Sequence, residues 1–200
     1  MKLAVYCGSR SGDSVRYEQA ARELGNWMGE RKYTLVYGAG FKGIMGAVSS
    51  AVQEKGGSII GVIPQFMIDE GWQKTDLELI QEEELPKNED LNGRCVMLVT
   101  DSMATRKMKM LELCDACITL PGGPGTLEEV TEVISLSCVN QHEKECYVLN
   151  LDGYYDALKK MYEDMLCHGF TERSLLCHVH FCGNVQEIEE SITGREKCHR

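Results

Sequence analysis

A glycine-rich turn between two apolar segments constrains the fold of this chain more than any other feature. Residues 116–120 (ACITL) have the pattern of a buried strand, and PGGPGTLEE follows at residues 121–129. Apolar residues then recur at helical spacing. This order predicts a strand, a tight turn and a helix start, in which Gly122, Gly123 and Gly125 let the backbone approach a ligand closely. Free N–H groups and the positive end of the helix dipole favour an anion such as phosphate there.

Thr126 and Glu129 allow two interpretations. Thr126 can cap the helix, and Thr-x-x-Glu is also the spacing of a capping box, in which Glu129 bonds back to the backbone. In the alternative, the Thr126 hydroxyl reaches the bound anion and Glu129 is a catalytic carboxylate. A helix cap does not need three preceding glycines, so the glycines favour the catalytic interpretation. The helix dipole is then expected to hold Glu129 ionised.

A second glycine-rich loop follows the strand predicted at residues 34–37. Gly38, Gly40 and Gly43 reproduce the G-x-G-x-x-G dinucleotide fingerprint between a strand and a helix. However, the fingerprint belongs to the second strand–helix unit of the chain. The next strand, residues 58–63, also lacks the terminal acidic residue that would bind a ribose hydroxyl. Both features disfavour NAD as the ligand of this loop.

The net charge and the hydropathy of the chain disfavour nucleic-acid-binding and membrane-spanning functions. The chain carries 21 Lys and Arg against 31 Asp and Glu, a net charge of −10, which argues against nucleic acid as a partner because phosphate backbones need a basic surface. A small phosphorylated ligand needs only local donors. No apolar run approaches the ~20 residues of a membrane span. The start, MKLAVYCGSR, turns polar too early for a signal peptide, so we expect a cytoplasmic protein with no membrane partner.

Ten cysteines are many for 200 residues, yet they fall below the ~8–10% of a disulfide scaffold. Most stand inside apolar runs and are interpreted as small buried hydrophobic residues in a reducing compartment. Cys177, His178, His180 and Cys182 suggest either a metal site or a core strand with packed polar groups. Strand alternation puts Cys177 on the opposite face from the other three, which favours the core strand. No metal and no cofactor are expected.

Strands and helices are predicted to alternate along the whole chain. This order predicts an α/β fold with a single nucleotide-binding domain over residues 1–200, a Rossmann-like, doubly wound parallel sheet with helices on both faces. Such sheets bind ligands at the carboxyl ends of their strands, where both glycine loops lie. The acidic stretch 66–94 is expected to form an exposed face or a mobile loop. Further predicted elements are strands at 3–7, 96–100, 146–150 and 177–181, and helices that begin after Asp13 or Ser14, Ser102 and Asn184 and end near 30, 114 and 192.

The central turn also carries a family resemblance. Pro-Gly-Gly-x-Gly-Thr-x-x-Glu at residues 121–129 resembles the signature of the LONELY GUY family, once labelled "possible lysine decarboxylase". Its members are phosphoribohydrolases that cleave the base from cytokinin riboside 5′-monophosphates and, in some bacterial members, from AMP. Residues 37–46 resemble the family's Tyr-Gly-Gly-Gly-x-x-Gly-x-Met-Gly, with Ala39 as a departure. Residues 103–107 resemble its Met-His-x-Arg-Lys, with Ala104 in place of the histidine.

The resemblance implies a hydrolase acting on a purine nucleoside 5′-monophosphate, of the cytokinin type or AMP, that yields free base and ribose 5-phosphate without a metal or cofactor. Arg106 and Glu129, 23 positions apart, fit the family's catalytic pair. The resemblance also implies a homodimer. The residues implied in binding substrate or phosphate are Gly8, Ser9, Gly40, Met103, Lys107, Gly122, Gly123, Gly125 and Thr126.

A function from another class stays open at this point. A nucleotide- or molybdenum-cofactor-binding carrier protein would use the same phosphate turn without hydrolysis. Retention of Arg106 and Glu129 favours the enzyme, whereas Ala104 favours the carrier. A lysine decarboxylase is disfavoured because no lysine stands in a recognisable pyridoxal-phosphate setting.

Overall fold

The computed structural model of this chain describes residues 1–86 and 91–198, the last three of them by backbone alone. The strands are β1 (Lys2–Tyr6), β2 (Thr34–Tyr37), β3 (Ser58–Pro64), β4 (Glu78–Leu79), β5 (Cys95–Thr100), β6 (Ala116–Thr119), β7 (Cys146–Leu149) and β8 (Val179–Cys182). The helices are α1 (Val15–Glu30), α2 (Gly43–Glu54), α3 (Gln65–Asp69), α4 (Met103–Leu113), α5 (Pro124–Cys138), α6 (Asp156–Cys167) and α7 (Val185–Cys198). The strands form one sheet in the order β4-β5-β3-β2-β1-β6-β7-β8, and all neighbours are parallel.

Hydroxyl and amide side chains set where three of the helices begin. Ser14 and Ser102 are the N-caps of α1 and α4, and their hydroxyls accept hydrogen bonds from backbone N–H groups of the first turn. Asn184 precedes α7, and its side-chain oxygen accepts a hydrogen bond from the N–H of Glu187 at 2.9 Å. These bonds satisfy donors that a helix start leaves without an intrahelical partner. The predicted starts after Ser14, Ser102 and Asn184 are confirmed.

Both faces of the sheet are covered by helices. Leu3 and Val5 of β1 belong to a buried cluster that includes side chains of α1, α2 and α7. Ala4 and Tyr6, which point the other way, belong to a second cluster with side chains of α4 and α5. Burial on both faces explains why the strands are continuous apolar runs rather than alternating ones. The predicted doubly wound α/β fold is confirmed.

The middle of the sheet contains a topological switch point. β1 pairs with both β2 and β6, and the chain builds β2 and β3 on one side of β1 before it returns to add β6 on the other. The helices that follow β1 and β6, α1 and α5, therefore lie on opposite faces. A crevice opens at such a point beyond the carboxyl ends of the strands. The loops after β1, β2 and β6 all lead into this crevice.

Two predicted boundaries near the carboxyl end were wrong. The last strand is Val179–Cys182 rather than 177–181, because residues Arg173–Leu176 form a 3₁₀ turn and pairing with β7 starts only at Val179. Helix α7 does not end near residue 192 but continues to Cys198. Gly194 lies inside it, since a single glycine costs a helix only about 1 kcal/mol.

The acidic stretch after β3 forms short elements, of which β4 is the edge strand of the sheet. It contributes α3, β4 and a 3₁₀ turn at Glu82–Glu84, whose three residues are exposed as predicted. Glu89 and Asp90, which belong to the same predicted stretch, lie outside the described residues. None of the helices within residues 1–86 and 91–198 is long and apolar enough to cross a membrane.

Candidate active site

Arg106, on helix α4, lies beside the carboxyl ends of β2 and β3. It is 4% exposed, although an arginine on a helix most often faces solvent. Its Nε donates to the carbonyl oxygen of Val62 at 3.1 Å, and one terminal nitrogen, Nη2, donates to the carbonyl oxygen of Gly38 at 3.5 Å. Because these carbonyls lie in β3 and immediately after β2, the ends of two strands fix the direction of the guanidinium.

Gly38 is glycine because of Arg106. A Cβ at this position would lie 1.8 Å from Nη2 of the arginine, so any side chain would displace the guanidinium. The first glycine of the fingerprint therefore makes room for an arginine. Ala39, the departure from the family pattern, has a φ of 58°, in the left-handed region that favours glycine. The loop keeps its shape at a modest cost in backbone strain.

Two methionine sulfurs flank the other terminal nitrogen of the arginine, Nη1. The sulfur of Met103 lies 3.5 Å from this atom and that of Met67 lies 4.0 Å away. Met103 was among the predicted site residues, and the structure places it beside Arg106. Met67, on α3, was not predicted, because the acidic stretch in which it lies has no recognisable sequence pattern.

Glu129 faces Arg106 from helix α5. One carboxylate oxygen lies 3.9 Å from Nη2 of the arginine, and the residue is 6% exposed. Within the described part of the chain, its carboxylate accepts no hydrogen bond. Burial raises the pKa of Glu129 to about 7, and the charge of Arg106 offsets only part of this shift. The expectation that the helix dipole holds this group ionised assumed a place in the first helical turn, but Glu129 is the sixth residue of α5, beyond the turn in which the dipole acts strongly.

The capping-box interpretation of Thr126 and Glu129 was also wrong. The N-cap of α5 is Gly123, Pro124 is the first helical residue, and no side chain caps the start. Thr126 is therefore the third helical residue rather than the cap, and Glu129 lies almost two turns into the helix. Pro124 suits the first position because it has no N–H to satisfy and its φ is already helical. The side chain of Glu129 thus lies beside Arg106 and not at the helix start.

The glycines of the central turn have two different roles. A Cβ at Gly122 would lie 2.2 Å from Oγ1 of Thr126 and 2.8 Å from the backbone nitrogen of Gly8. Gly122 is therefore required by internal packing, as the loops after β6 and β1 meet there and the N–H of Gly8 donates to the carbonyl of Pro121 at 3.1 Å. By contrast, a Cβ at Gly123 or Gly125 would meet nothing within 4 Å.

The remaining predicted binding residues occupy different environments. Ser9 is exposed next to the buried Gly8. Gly40 is half-buried, and a Cβ there would lie 2.7 Å from the sulfur of Met45. Lys107 forms ion pairs with two carboxylates of α5, Glu128 and Glu132, the latter at 3.0 Å. Lys107 thus joins α4 to α5 and helps to hold Arg106 opposite Glu129.

The cluster near β8 that suggested a metal site has another explanation. His178 and His180 both contact the carboxylate of Glu145, with the histidine nitrogens 3.1 Å and 2.5 Å from its oxygens. Arg195 pairs with the same carboxylate. Across residues 1–86 and 91–198, no group of three or more His, Cys, Asp or Glu side chains is arranged to hold a metal ion. The polar groups of this region are packed against one another.

Several known proteins are similar to this chain in sequence. The family model described as "Possible lysine decarboxylase" matches residues 45–192. A probable cytokinin riboside 5'-monophosphate phosphoribohydrolase of Oryza sativa subsp. japonica (LOGL9) is 39% identical over 171 residues, which are 84% of this chain and 67% of that protein. The cytokinin riboside 5'-monophosphate phosphoribohydrolase LOG3 of Arabidopsis thaliana is 33% identical over 200 residues, 99% of this chain and 84% of that protein.

Solved structures with the same fold include carriers of molybdenum cofactor. The molybdenum cofactor carrier protein of Chlamydomonas reinhardtii matches with a TM-score of 0.65 at 18% identity, over 96% of both chains. A molybdenum cofactor binding protein of Rippkaea orientalis matches with a TM-score of 0.61 at 16% identity, over 96% of this chain and 95% of that chain. At such low identity the likeness shows the fold alone.

Proposed function

Because the chain belongs to the LONELY GUY family of phosphoribohydrolases, we propose that it hydrolyses the N-glycosidic bond of a purine nucleoside 5′-monophosphate. In this reaction the bond between C1′ of the ribose and a ring nitrogen of the base breaks. Water supplies the hydroxyl that C1′ gains and the proton that the base gains. The products are the free base and ribose 5-phosphate.

The observation that carries this proposal is a buried acid–arginine pair beside an uncapped glycine turn. Glu129 and Arg106 lie 3.9 Å apart at the carboxyl ends of the strands, and the start of α5 offers backbone N–H groups that no side chain caps. A phosphate on the turn would anchor one end of a nucleotide. Binding energy from this remote group then helps to position the reacting carbon against the pair.

Glu129 is assigned the electrostatic role in this reaction. Cleavage builds positive charge on the ribose, and a nearby carboxylate stabilises that charge and orients the attacking water. Because this carboxylate accepts no hydrogen bond from the residues that the structure describes, its lone pairs are available for water or a ribose hydroxyl. With a pKa of about 7, Glu129 is partly ionised at neutral pH. The low polarity that raises the pKa also strengthens its interaction with a developing cation.

Arg106 is assigned the role of stabilising the negative charge that develops on the departing base. A guanidinium has five N–H donors and does not give up its proton at neutral pH. Backbone carbonyls take two of them, which leaves others for the departing base or the ribose. The fixed direction of this side chain means that little reorganisation is needed as negative charge develops on the base.

We further propose a homodimer with its contact surface near the site. Met108 on α4 and Leu127 on α5 are 43% and 44% exposed, and each is adjacent in sequence to a partner of the Lys107–Glu128 ion pair that joins the two helices. Apolar side chains on neighbouring exposed helices suit a second copy of the chain. Sedimentation equilibrium at micromolar concentration tests this proposal: a dimer mass supports it, and a monomer mass contradicts it.

Incubation of the pure protein with AMP and with N6-isopentenyladenosine 5′-monophosphate tests the proposed activity. Chromatography should detect free base and ribose 5-phosphate in equal amounts, and the ratio of the two rates gives the base preference. Adenosine, which lacks the phosphate, should be cleaved far more slowly. Saturable binding of both nucleotides without release of base would contradict the hydrolase and favour a carrier.

A further inference from the structure

Two neighbouring tyrosines donate hydrogen bonds to backbone carbonyl groups at the glycine turn. The hydroxyl of Tyr154 donates to the carbonyl oxygen of Gly122 at 2.5 Å, and that of Tyr155 donates to the carbonyl oxygen of Leu120 at 3.0 Å. Both tyrosines follow a 3₁₀ turn at Leu151–Gly153, about 30 positions from the glycine turn in sequence. The segment after β7 therefore supports the segment after β6.

Tyr154 is itself fixed in place. Its ring makes edge-on contacts with Tyr17 and with Tyr155, at centroid distances of 5.7 Å and 4.9 Å. The 3₁₀ turn before it is tied to α1 by an ion pair between Asp152 and Arg16 at 2.5 Å. A hydroxyl in a constrained position can set the direction of the carbonyl that it contacts.

The bond from Tyr154 determines where one N–H group points. In a trans peptide the C=O of one residue and the N–H of the next point in opposite directions. When Tyr154 holds the carbonyl of Gly122, the N–H of Gly123 must point away from the tyrosine. Gly123 is the N-cap of α5, so the helix does not fix its N–H in the way that it fixes those of Gly125 and Thr126.

We infer that Tyr154 is a positioning residue for the anion-binding turn, which directs the N–H of Gly123 towards the 5′-phosphate of the substrate. The inference rests on the proposed function, because it takes the phosphate of that nucleotide as the anion. Space for the anion exists at the turn, since a Cβ at Gly123 or Gly125 would meet nothing within 4 Å. Tyr154 acts through the backbone and does not itself contact the phosphate.

Tyr155 provides a matched control within the same turn. Its hydroxyl also holds a carbonyl, but the next residue after Leu120 is Pro121, which has no N–H to direct. The variants Tyr154→Phe and Tyr155→Phe each remove one hydroxyl that donates to a backbone carbonyl at this turn. Only the first should alter the donors that face the anion.

The experiment measures binding of ribose 5-phosphate to wild type and both variants by calorimetry, and kcat and KM for AMP. Tyr154→Phe should weaken ribose 5-phosphate binding and raise KM about 5- to 10-fold, with kcat within about twofold. This is less than the full worth of one charge-assisted hydrogen bond, because the variant misdirects the N–H of Gly123 without removing it. Tyr155→Phe should lower thermal stability but leave ribose 5-phosphate binding within about twofold. The backbone amide NMR signal of Gly123 should shift when ribose 5-phosphate binds to wild type, and less in Tyr154→Phe.

Unchanged ribose 5-phosphate binding in a folded Tyr154→Phe protein would overturn the inference, as would equal weakening in both variants. Calorimetry measures binding without turnover, so it tests the role of Tyr154 separately from the proposed hydrolase activity. If Tyr154→Phe alone weakens ribose 5-phosphate binding but wild type releases no base from AMP, the hydrolase is contradicted and the role of Tyr154 is supported.

Discussion

Glu129 and Glu145 both lie beside an arginine, and their surroundings differ in a way that separates a reactive group from a structural one. Glu129 is 6% exposed and has Arg106 at 3.9 Å. Glu145 has a side chain 16% exposed and contacts His178 and His180 at 3.1 Å and 2.5 Å, as well as Arg195. Glu145 is thus surrounded by donors, whereas Glu129 is buried and its carboxylate accepts no hydrogen bond from residues 1–86 and 91–198.

A buried carboxylate without hydrogen bonds is expensive for a folded protein. Such a group persists where a ligand supplies the missing contacts, and strained or unsatisfied positions cluster at functional sites. The contacts of Glu145 with its three donors link the start of β7 to β8 and α7, so Glu145 stabilises the fold. The contrast teaches that the informative feature of a candidate catalytic acid is the absence of satisfied contacts, and not its proximity to an arginine.

The largest effect is expected from breaking each arginine contact in turn. Arg106→Met should lower kcat/KM for AMP by about 10²- to 10³-fold, in the range found for loss of a donor that stabilises transition-state charge. It should also destabilise the fold, since it leaves the buried Glu129 without its cation. The corresponding change Arg195→Met removes a half-exposed side chain and should leave kcat/KM within about twofold. Steady-state kinetics and urea unfolding of both variants check the contrast, which equal losses of activity would contradict.

The pH dependence of stability sharpens the comparison next. The pKa of Glu129 is about 7 in the folded protein against the usual value near 4.5. Between these two pH values the folded protein holds a proton that the unfolded chain has released, so the free energy of unfolding falls as pH rises through this window. Above pH 7 the loss is complete, and it amounts to roughly 3 kcal/mol.

Glu129→Gln removes this titration while keeping the size of the side chain. Relative to wild type, the variant should gain stability as pH rises from 4.5 to 8, by roughly 3 kcal/mol. Urea unfolding at half-unit steps of pH measures the difference. A difference that stays constant across this range would show that burial does not perturb Glu129.

The smallest effects are expected within the glycine turn. There, Gly122 is required by packing inside the protein, whereas Gly123 faces open space. Gly122→Ala should cost about 1–3 kcal/mol of stability, because its Cβ must displace Thr126 or Gly8. Gly123→Ala should cost no more than about 1 kcal/mol, the penalty for alanine at an N-cap, since its Cβ meets nothing and its φ of −88° is ordinary. The second variant should nevertheless bind ribose 5-phosphate more weakly, because the methyl group enters the space proposed for the anion. Thermal unfolding and calorimetry separate the two roles, and normal ribose 5-phosphate binding by Gly123→Ala would argue against an anion at this turn.

Much of the fold was predictable because its signals are local. The alternation of apolar runs and amphipathic segments predicts the parallel sheet, and Ser14 and Ser102 mark helix starts that the structure confirms. The glycine turn after β6 was placed correctly. The spacing of Thr126 and Glu129 suggested a capping box because the pattern does not reveal that Gly123 takes the N-cap position.

The parts of the site that escaped prediction depend on contacts between distant segments. Gly38 belongs to a recognisable fingerprint, yet nothing local indicates that its missing side chain accommodates Arg106. The sulfur of Met67 and the hydroxyl of Tyr154 reach the site from segments far away in sequence. The pKa of Glu129 likewise depends on burial, which a helix-start pattern does not reveal.

The most direct test compares Glu129→Gln with Glu145→Gln in the release of adenine from AMP. Each substitution removes one negative charge beside an arginine and keeps the shape of the side chain. We expect Glu129→Gln to lower kcat by about 10²- to 10³-fold, the scale on which a positioned charge stabilises a transition state, while Glu145→Gln retains kcat within a fewfold and loses stability instead. Full activity in Glu129→Gln, or an equal loss of kcat in the two folded variants, would contradict the assignment of Glu129 as the catalytic carboxylate.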